Sequence, residues 1–136
     1  MTGVVIDANV VVSALLFGGV PGGLVPLWRK SAFQPYISRE ILAEYIRVLS
    51  YPKFQLQTDE IEYLVYREIL PHFEVVDLPA SRPVIVAKDP SDDVFLYCAR
   101  AAGVDYILSG DLHLLELQYF EKIPIVSVPR FFDLVK

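Results

Sequence analysis

The sequence predicts an α/β protein of three layers, with helices on both faces of a central parallel sheet of about five strands. Three observations predict it. Short apolar runs rich in β-branched residues recur along the chain; segments of helical period separate them; and the connections suit helical crossovers rather than hairpins.

GVVID, residues 3–7, reads as a first buried strand that stops at a carboxylate. Helical spacing follows through VVSALLF and halts at Gly18 and Gly19, after which Pro21 suits the first turn of a helix running through Leu24, Leu27 and Trp28. QPYIS, residues 34–38, is the second strand, and Ser38 is placed to cap the helix ILAEYIRVL, which ends before Pro52. DEIEYLVYREIL, residues 59–70, has helical period and stops at Pro71; FEVVDL, residues 73–78, reads as a third strand, followed by a turn at PASRP. PSDDVFLYCARAAG is a helix with acids in its first turn and Gly103 at its end. VDYILSGD, residues 104–111, is the fourth strand, LHLLEL a short helix, IPIVSV the last strand and PRFFDLV a terminal helix. With 136 residues and no repeat, the chain is expected to form a single domain over 1–136.

Composition narrows the classes of function. The hydrophobic share of 54% and charged share of 21% describe a globule with an apolar core. Cys98 is the one cysteine; it lies within an apolar helical pattern and reads as a buried thiol in a reducing compartment. No apolar run reaches the roughly 20 residues that span a bilayer, and no basic flank precedes an apolar signal core, so the expected location is the cytoplasm, without membrane contact. A net charge of −5 argues against a simple electrostatic nucleic-acid binder. That objection weakens where several acids hold divalent cations.

In a parallel sheet of this kind, ligands bind beyond the carboxyl ends of the strands. Asp7 closes the first strand and Asp111 the fourth, and Asp89, Asp92 and Asp93 open a helix on the same rim. Glu44 sits at the border of an apolar helical arc of Ile41, Leu42, Tyr45, Ile46, Val48 and Leu49, about 40° from Val48, whereas Glu40 is expected to face water. On the later helix, Phe95, Leu96, Ala99 and Ala102 define a buried face with Asp92 in its middle; Asp93 points sideways beside Tyr97. Each acid also has a purely structural reading. Asp89 suits an N-cap before Pro90, Asp92 and Asp93 the helix dipole, Asp111 a turn, Asp7 a strand-end cap and Glu44 a solvated helix border. Together they point further, because four carboxylates on one rim repel one another and a divalent cation reverses that penalty. An oxygen-only donor set favours Mg²⁺ or Mn²⁺ over Zn²⁺. His72 and His113 lack ligand spacing, and His113 reads as a surface helix residue.

VVIDANVVVSALL, the Glu of ILAEYIRVL, KDPSDDVFLYCARAAGVDYILSGDLHLL and IPIVSVPRFF together resemble PIN domains, and most closely the VapC-type toxins of toxin-antitoxin pairs. The resemblance implies an acidic metal site of Asp7, Glu44, Asp92 and Asp111, with Asp93 as the other candidate for the third position, and Asn9 and Ser109 as polar supports. It further implies Mg²⁺- or Mn²⁺-dependent hydrolysis of RNA phosphodiester bonds, a homodimer, and a cognate antitoxin as partner. Ala8 stands where many relatives carry Thr or Ser. Arg39, Arg47, Lys53, Lys88 and Arg100 are candidates for backbone contacts to RNA. Two other readings compete: a catalytically inactive PIN-like module that binds RNA or protein, and a phosphatase with Asp7 as nucleophile, which the DAN triplet disfavours by lacking an acid at position 9.

Overall fold

Val4, Val5 and Ile6, consecutive and fully buried, form most of the central strand β1 (Gly3–Ile6), as a strand covered on both faces requires. The computed structural model describes residues 1–78 and 90–135; the PASRP turn, Lys88 and Asp89 lie outside the described residues. β1 leads directly into α1 (Ala8–Leu16), which ends before Gly18 and Gly19, both at positive φ where a side chain is strained. The expected helix from Pro21 to Trp28 is instead two short ones, α2 (Gly19–Gly22) and α3 (Leu24–Arg29). The adjacent Gly22 and Gly23 weaken helix propagation at the joint, and Pro26, in the first turn of α3, gives up an N–H that has no intrahelical partner there.

β2 (Gln34–Ile37) is followed by α4 (Arg39–Leu49), capped by Ser38, whose hydroxyl accepts the Ile41 amide at 3.1 Å. A short 3₁₀ turn at Pro52–Phe54 then precedes α5 (Thr58–Leu64). The single helix expected over 59–70 changes character partway: Val65–Ile69 form a π-helical turn, in which the Leu70 amide donates to the Val65 carbonyl five residues back at 2.9 Å. Val65 and Ile69 are buried, so this segment packs into its own core. The strand expected over 73–78 reduces to β3 (Glu74–Val75), both of whose residues are exposed at the sheet edge.

α6 (Pro90–Ala102) returns the chain to β4 (Tyr106–Leu108), with Gly103 at positive φ ending the helix. The wheel drawn from sequence gave α6 one buried face, yet Phe95, Leu96, Tyr97, Cys98 and Ala99 are all buried. α6 packs on β1, β2 and β4 and is covered by α4, so apolar periodicity does not mark one side of it. α7 (Leu112–Leu117), β5 (Tyr119–Phe120), β6 (Ile123–Val126) and α8 (Val128–Leu134) complete the chain. β5 is a sixth strand that the sequence reading lacked; it pairs antiparallel with β6. Two residues are too few for a period-two signal, and the turn places Glu121 rather than Gly at positive φ.

The strand order is β3-β2-β1-β4-β6-β5, with the first five of these parallel in sequence of neighbours. From β1 the chain builds outward through β2 and β3, then crosses to the other side of β1 for β4. The switch point of the topology therefore falls between β1 and β4, where open α/β sheets part their connections and leave a crevice. Among the described residues no single helix is long and apolar enough to cross a membrane.

Candidate functional site

The two strands at the switch point end level with one another. Register pairs Ile6 with Leu108, and the Asp7 amide donates to the Leu108 carbonyl at 2.9 Å, which sets Asp7 beside Ser109. Ser109 is fully buried; its hydroxyl donates to Asp7 Oδ2 at 2.7 Å and accepts the Asp111 amide at 2.9 Å. One side chain thus ties the acid ending β1 to the acid following β4. Asp7 Oδ1 accepts the amide of Asn9 at 2.9 Å, so Asp7 is also the N-cap of α1. Asp111 caps α7 in the same way, accepting the His113 amide at 2.8 Å, while His113 is exposed as expected. The cap readings and the site readings of these two acids are therefore compatible.

Asp7 is 6% exposed. Burial pushes its carboxyl above the ordinary carboxylate range; the Ser109 hydroxyl and Asn9 amide pull it down, and the charges of Asp111 and Glu44 push it up again. Glu44, on α4, therefore acts electrically on Asp7, but its carboxylate is held by its own helix: Arg47 Nε and Nη2 donate to its two oxygens at 2.7 and 2.9 Å. The i,i+3 spacing of this pair was visible in the sequence. Glu40, expected in water, is half-buried and close enough to raise the Cys98 thiol.

Asp92 and Asp93, in the first turn of α6, are 8% and 5% exposed. Burial does not separate them, because α6 is enclosed on more sides than the wheel assumed. Among the described residues no three acids, histidines or cysteines are gathered as a ready-made metal site. Asp7 and the Asp111 backbone meet through Ser109, and Glu44 reaches Asp7 through its field. The donor chemistry fits a hard divalent cation nonetheless: all the candidate groups offer oxygen, and Asp7 carries a buried charge that its neighbours make costlier.

Tyr45 is a residue that the sequence reading left in the apolar arc. It is fully buried, and its phenol donates to the Ile6 carbonyl at 2.5 Å, pinning the strand end that carries Asp7. A tyrosine on a buried arc needs a partner for its hydroxyl, and that need was the available signal. Beside the rim an open groove of about 410 Å³ is lined by polar Asn9, Ser13, Ser109, Asp111 and Ser127 and by apolar residues that include Val20, Pro21 and Val128. Of the cations singled out from sequence, Arg47 is at Glu44; Arg100 pairs with Glu121 at 2.6 Å, near β5 and away from the rim. Arg39 is exposed, and Lys53 lies over two aromatic rings.

The profile of the PIN domain family matches residues 3–113, a span from β1 through both acid-bearing strand ends. The chain belongs to the PIN domain family. The resemblance read from the sequence motifs is borne out at that level. No curated protein sequence matches this PIN domain. Among solved structures six chains match. One is a chain of the crystal structure of VapBC2 from Rickettsia felis bound to a DNA fragment from their promoter; it shares 13% identity at a TM-score of 0.61, covering 93% of this chain and 98% of that one. At that identity the likeness is one of fold.

Proposed function

We propose that this PIN domain is a metal-dependent endoribonuclease, acting through Asp7, Glu44, Asp111 and an acid of the Asp92, Asp93 doublet, and that it is the toxin of a toxin-antitoxin pair. The observation that carries the reading is the Asp7–Ser109–Asp111 linkage at the switch point of the sheet. It supports a hydrolytic site because one hydroxyl binds the Asp7 carboxylate and the backbone of Asp111, and the Asp111 charge acts on Asp7, a repulsion that a counter-cation relieves. The fold likeness to a chain of a VapBC2 complex supports the toxin part.

When bound, Mg²⁺ or Mn²⁺ supplies an activated water for in-line attack on phosphorus and offsets charge on the scissile phosphate. Asp7 and Asp111 would hold the cation, with Glu44 and the Asp92, Asp93 doublet completing the oxygen set. Ser109 orients Asp7 through its donated proton and keeps the Asp111 backbone in place. The backbone N–H of Asn9 donates to the second Asp7 oxygen and fixes it. The groove past Asn9 and Ser127 is open, which suits a polymer better than a small enclosed substrate.

Purified protein is incubated with RNA and Mn²⁺ or Mg²⁺ beside the Asp7→Asn and Asp111→Asn variants. Cleavage by the parent chain alone supports the reading, and equal cleavage by the variants overturns it. One observation favours an idle RNA- or protein-binding module: Arg47 satisfies both oxygens of Glu44. Calorimetric titration with Mn²⁺ separates the two, since a nuclease site binds the ion saturably and loses it in Asp111→Asn.

A further inference from the structure

Arg47 belongs to a second arrangement beside the acids. Besides pairing with Glu44, it donates from Nη1 to the Tyr51 hydroxyl at 2.9 Å, and its guanidinium lies 5.5 Å from the centre of the Tyr51 ring. Lys53 Nζ stands 6.0 Å from the centre of the same ring and 5.2 Å from that of Phe54. The Tyr51 and Phe54 rings are nearly parallel, 7° apart in plane with centroids at 6.4 Å, and Phe54 meets Phe17 at 5.7 Å. Tyr51 and Phe54 are half-buried against the core, which accounts for part of their area by packing alone. Packing does not account for Phe17, 68% exposed at the C-terminal end of α1, opposite the end that Asp7 caps, nor for two cations gathered on ring faces in a chain of net charge −5.

We propose that Arg47, Tyr51, Lys53, Phe54 and Phe17 form a platform for single-stranded RNA, running from Glu44 away from the rim along the turn after α4. The inference rests on the nuclease reading for its substrate class. The rings supply π surface for unstacked bases, Arg47 adds a planar cation on which a base can stack, and Lys53 meets the phosphates. This combination of charge and stacking surface is what single strands need and duplexes cannot use, because paired bases keep their faces inside the helix. Arg47 touches both Glu44 and Tyr51, so the strip is continuous with that one candidate acid.

The test separates binding from cleavage by using the full chain in an Asp7→Asn background, so that the RNA survives. A labelled single-stranded RNA of about 12 nucleotides and its blunt duplex are titrated by fluorescence anisotropy in Mg²⁺ buffer. Phe17→Ser and Lys53→Ala are the variants of choice because both side chains are exposed. The single strand is expected to bind about tenfold more tightly than the duplex, and the double variant to lose about tenfold of that affinity. Losing Lys53 should lower the slope of log affinity against log salt by about 0.7. Equal affinity for both RNAs, or a double variant within twofold of its parent, overturns the platform. So does displacement of the RNA by a polyglutamate peptide at equal strength, which would mark a surface for an acidic protein segment. Strip-dependent binding by a chain that cleaves nothing leaves the platform standing and removes the nuclease; Asp7-dependent cleavage with binding indifferent to Phe17 and Lys53 does the reverse.

Discussion

Ser109 spans Asp7 and the Asp111 backbone, donating to one at 2.7 Å and accepting from the other at 2.9 Å. The first bond exists because β1 and β4 are neighbours in step, so that the residue after Leu108 stands beside the residue after Ile6, and the second is a local contact within the turn from Ser109 to Asp111. Ser109→Ala leaves an Asp7 oxygen and the Asp111 amide without this partner. Under the proposed nuclease function it is expected to lower RNA cleavage about 10- to 100-fold, the usual cost of losing a residue that orients a metal ligand. Steady-state cleavage assays check this, and Ser109→Thr should restore most of the rate if the hydroxyl is what matters.

Tyr45 holds the other side of the same strand end. Tyr45→Phe strips the buried Ile6 carbonyl of its side-chain donor and should destabilise the protein by about 1–3 kcal/mol. Urea unfolding measures the loss as a lower midpoint at unchanged slope. Activity should fall as well, because the backbone that carries Asp7 is less firmly placed.

Removing the charge of Asp7 separates stability from function. Without metal, Asp7→Asn relieves a buried carboxylate of desolvation and of repulsion from Asp111 and Glu44. The variant should therefore melt higher than its parent in EDTA while being inactive. Mn²⁺ should raise the Tm of the parent and leave that of the variant where it was. A variant that melts lower in EDTA, or still responds to Mn²⁺, contradicts a destabilising, metal-binding Asp7.

Cys98 is fully enclosed by α6 and its neighbours, and burial, with a smaller push from Glu40, raises its thiol to about 12. In the native protein it should be inert to a thiol-specific chromophoric reagent at pH 8 and react only on unfolding. The sign for stability follows from the raised value. The contribution is complete below the ordinary pKa of 9.0 and is lost as the pH climbs toward 12, since the unfolded chain gives up the thiol proton first. Cys98→Ala should flatten that alkaline part of a plot of unfolding free energy against pH.

Much of the architecture was legible before any coordinates. The five parallel strands, the Ser38 cap and the stops at Gly18 and Gly103 follow from periodicity and turn chemistry, which are local properties. The same local signals failed where length or enclosure removed them. β5 is two residues long, the 59–70 helix widens into a π turn, and α6 is covered on too many sides for its apolar pattern to choose between Asp92 and Asp93.

By itself the sequence determined that Asp7 follows the first strand and that Glu44 borders the apolar side of its helix; the fourth strand, expected to run to Asp111, ends at Leu108, and Asp111 caps α7. Which strands are neighbours was decided only by the tertiary structure, and with it the sharing of Ser109 between two acids 104 positions apart in number. Strand adjacency depends on the order in which crossovers pack helices over a growing sheet, a property of the whole chain rather than of any window in it. The capture of Glu44 by Arg47, and of Arg47 by Tyr51, was decided at the same level, by side chains settling among alternatives that the spacing alone leaves equal.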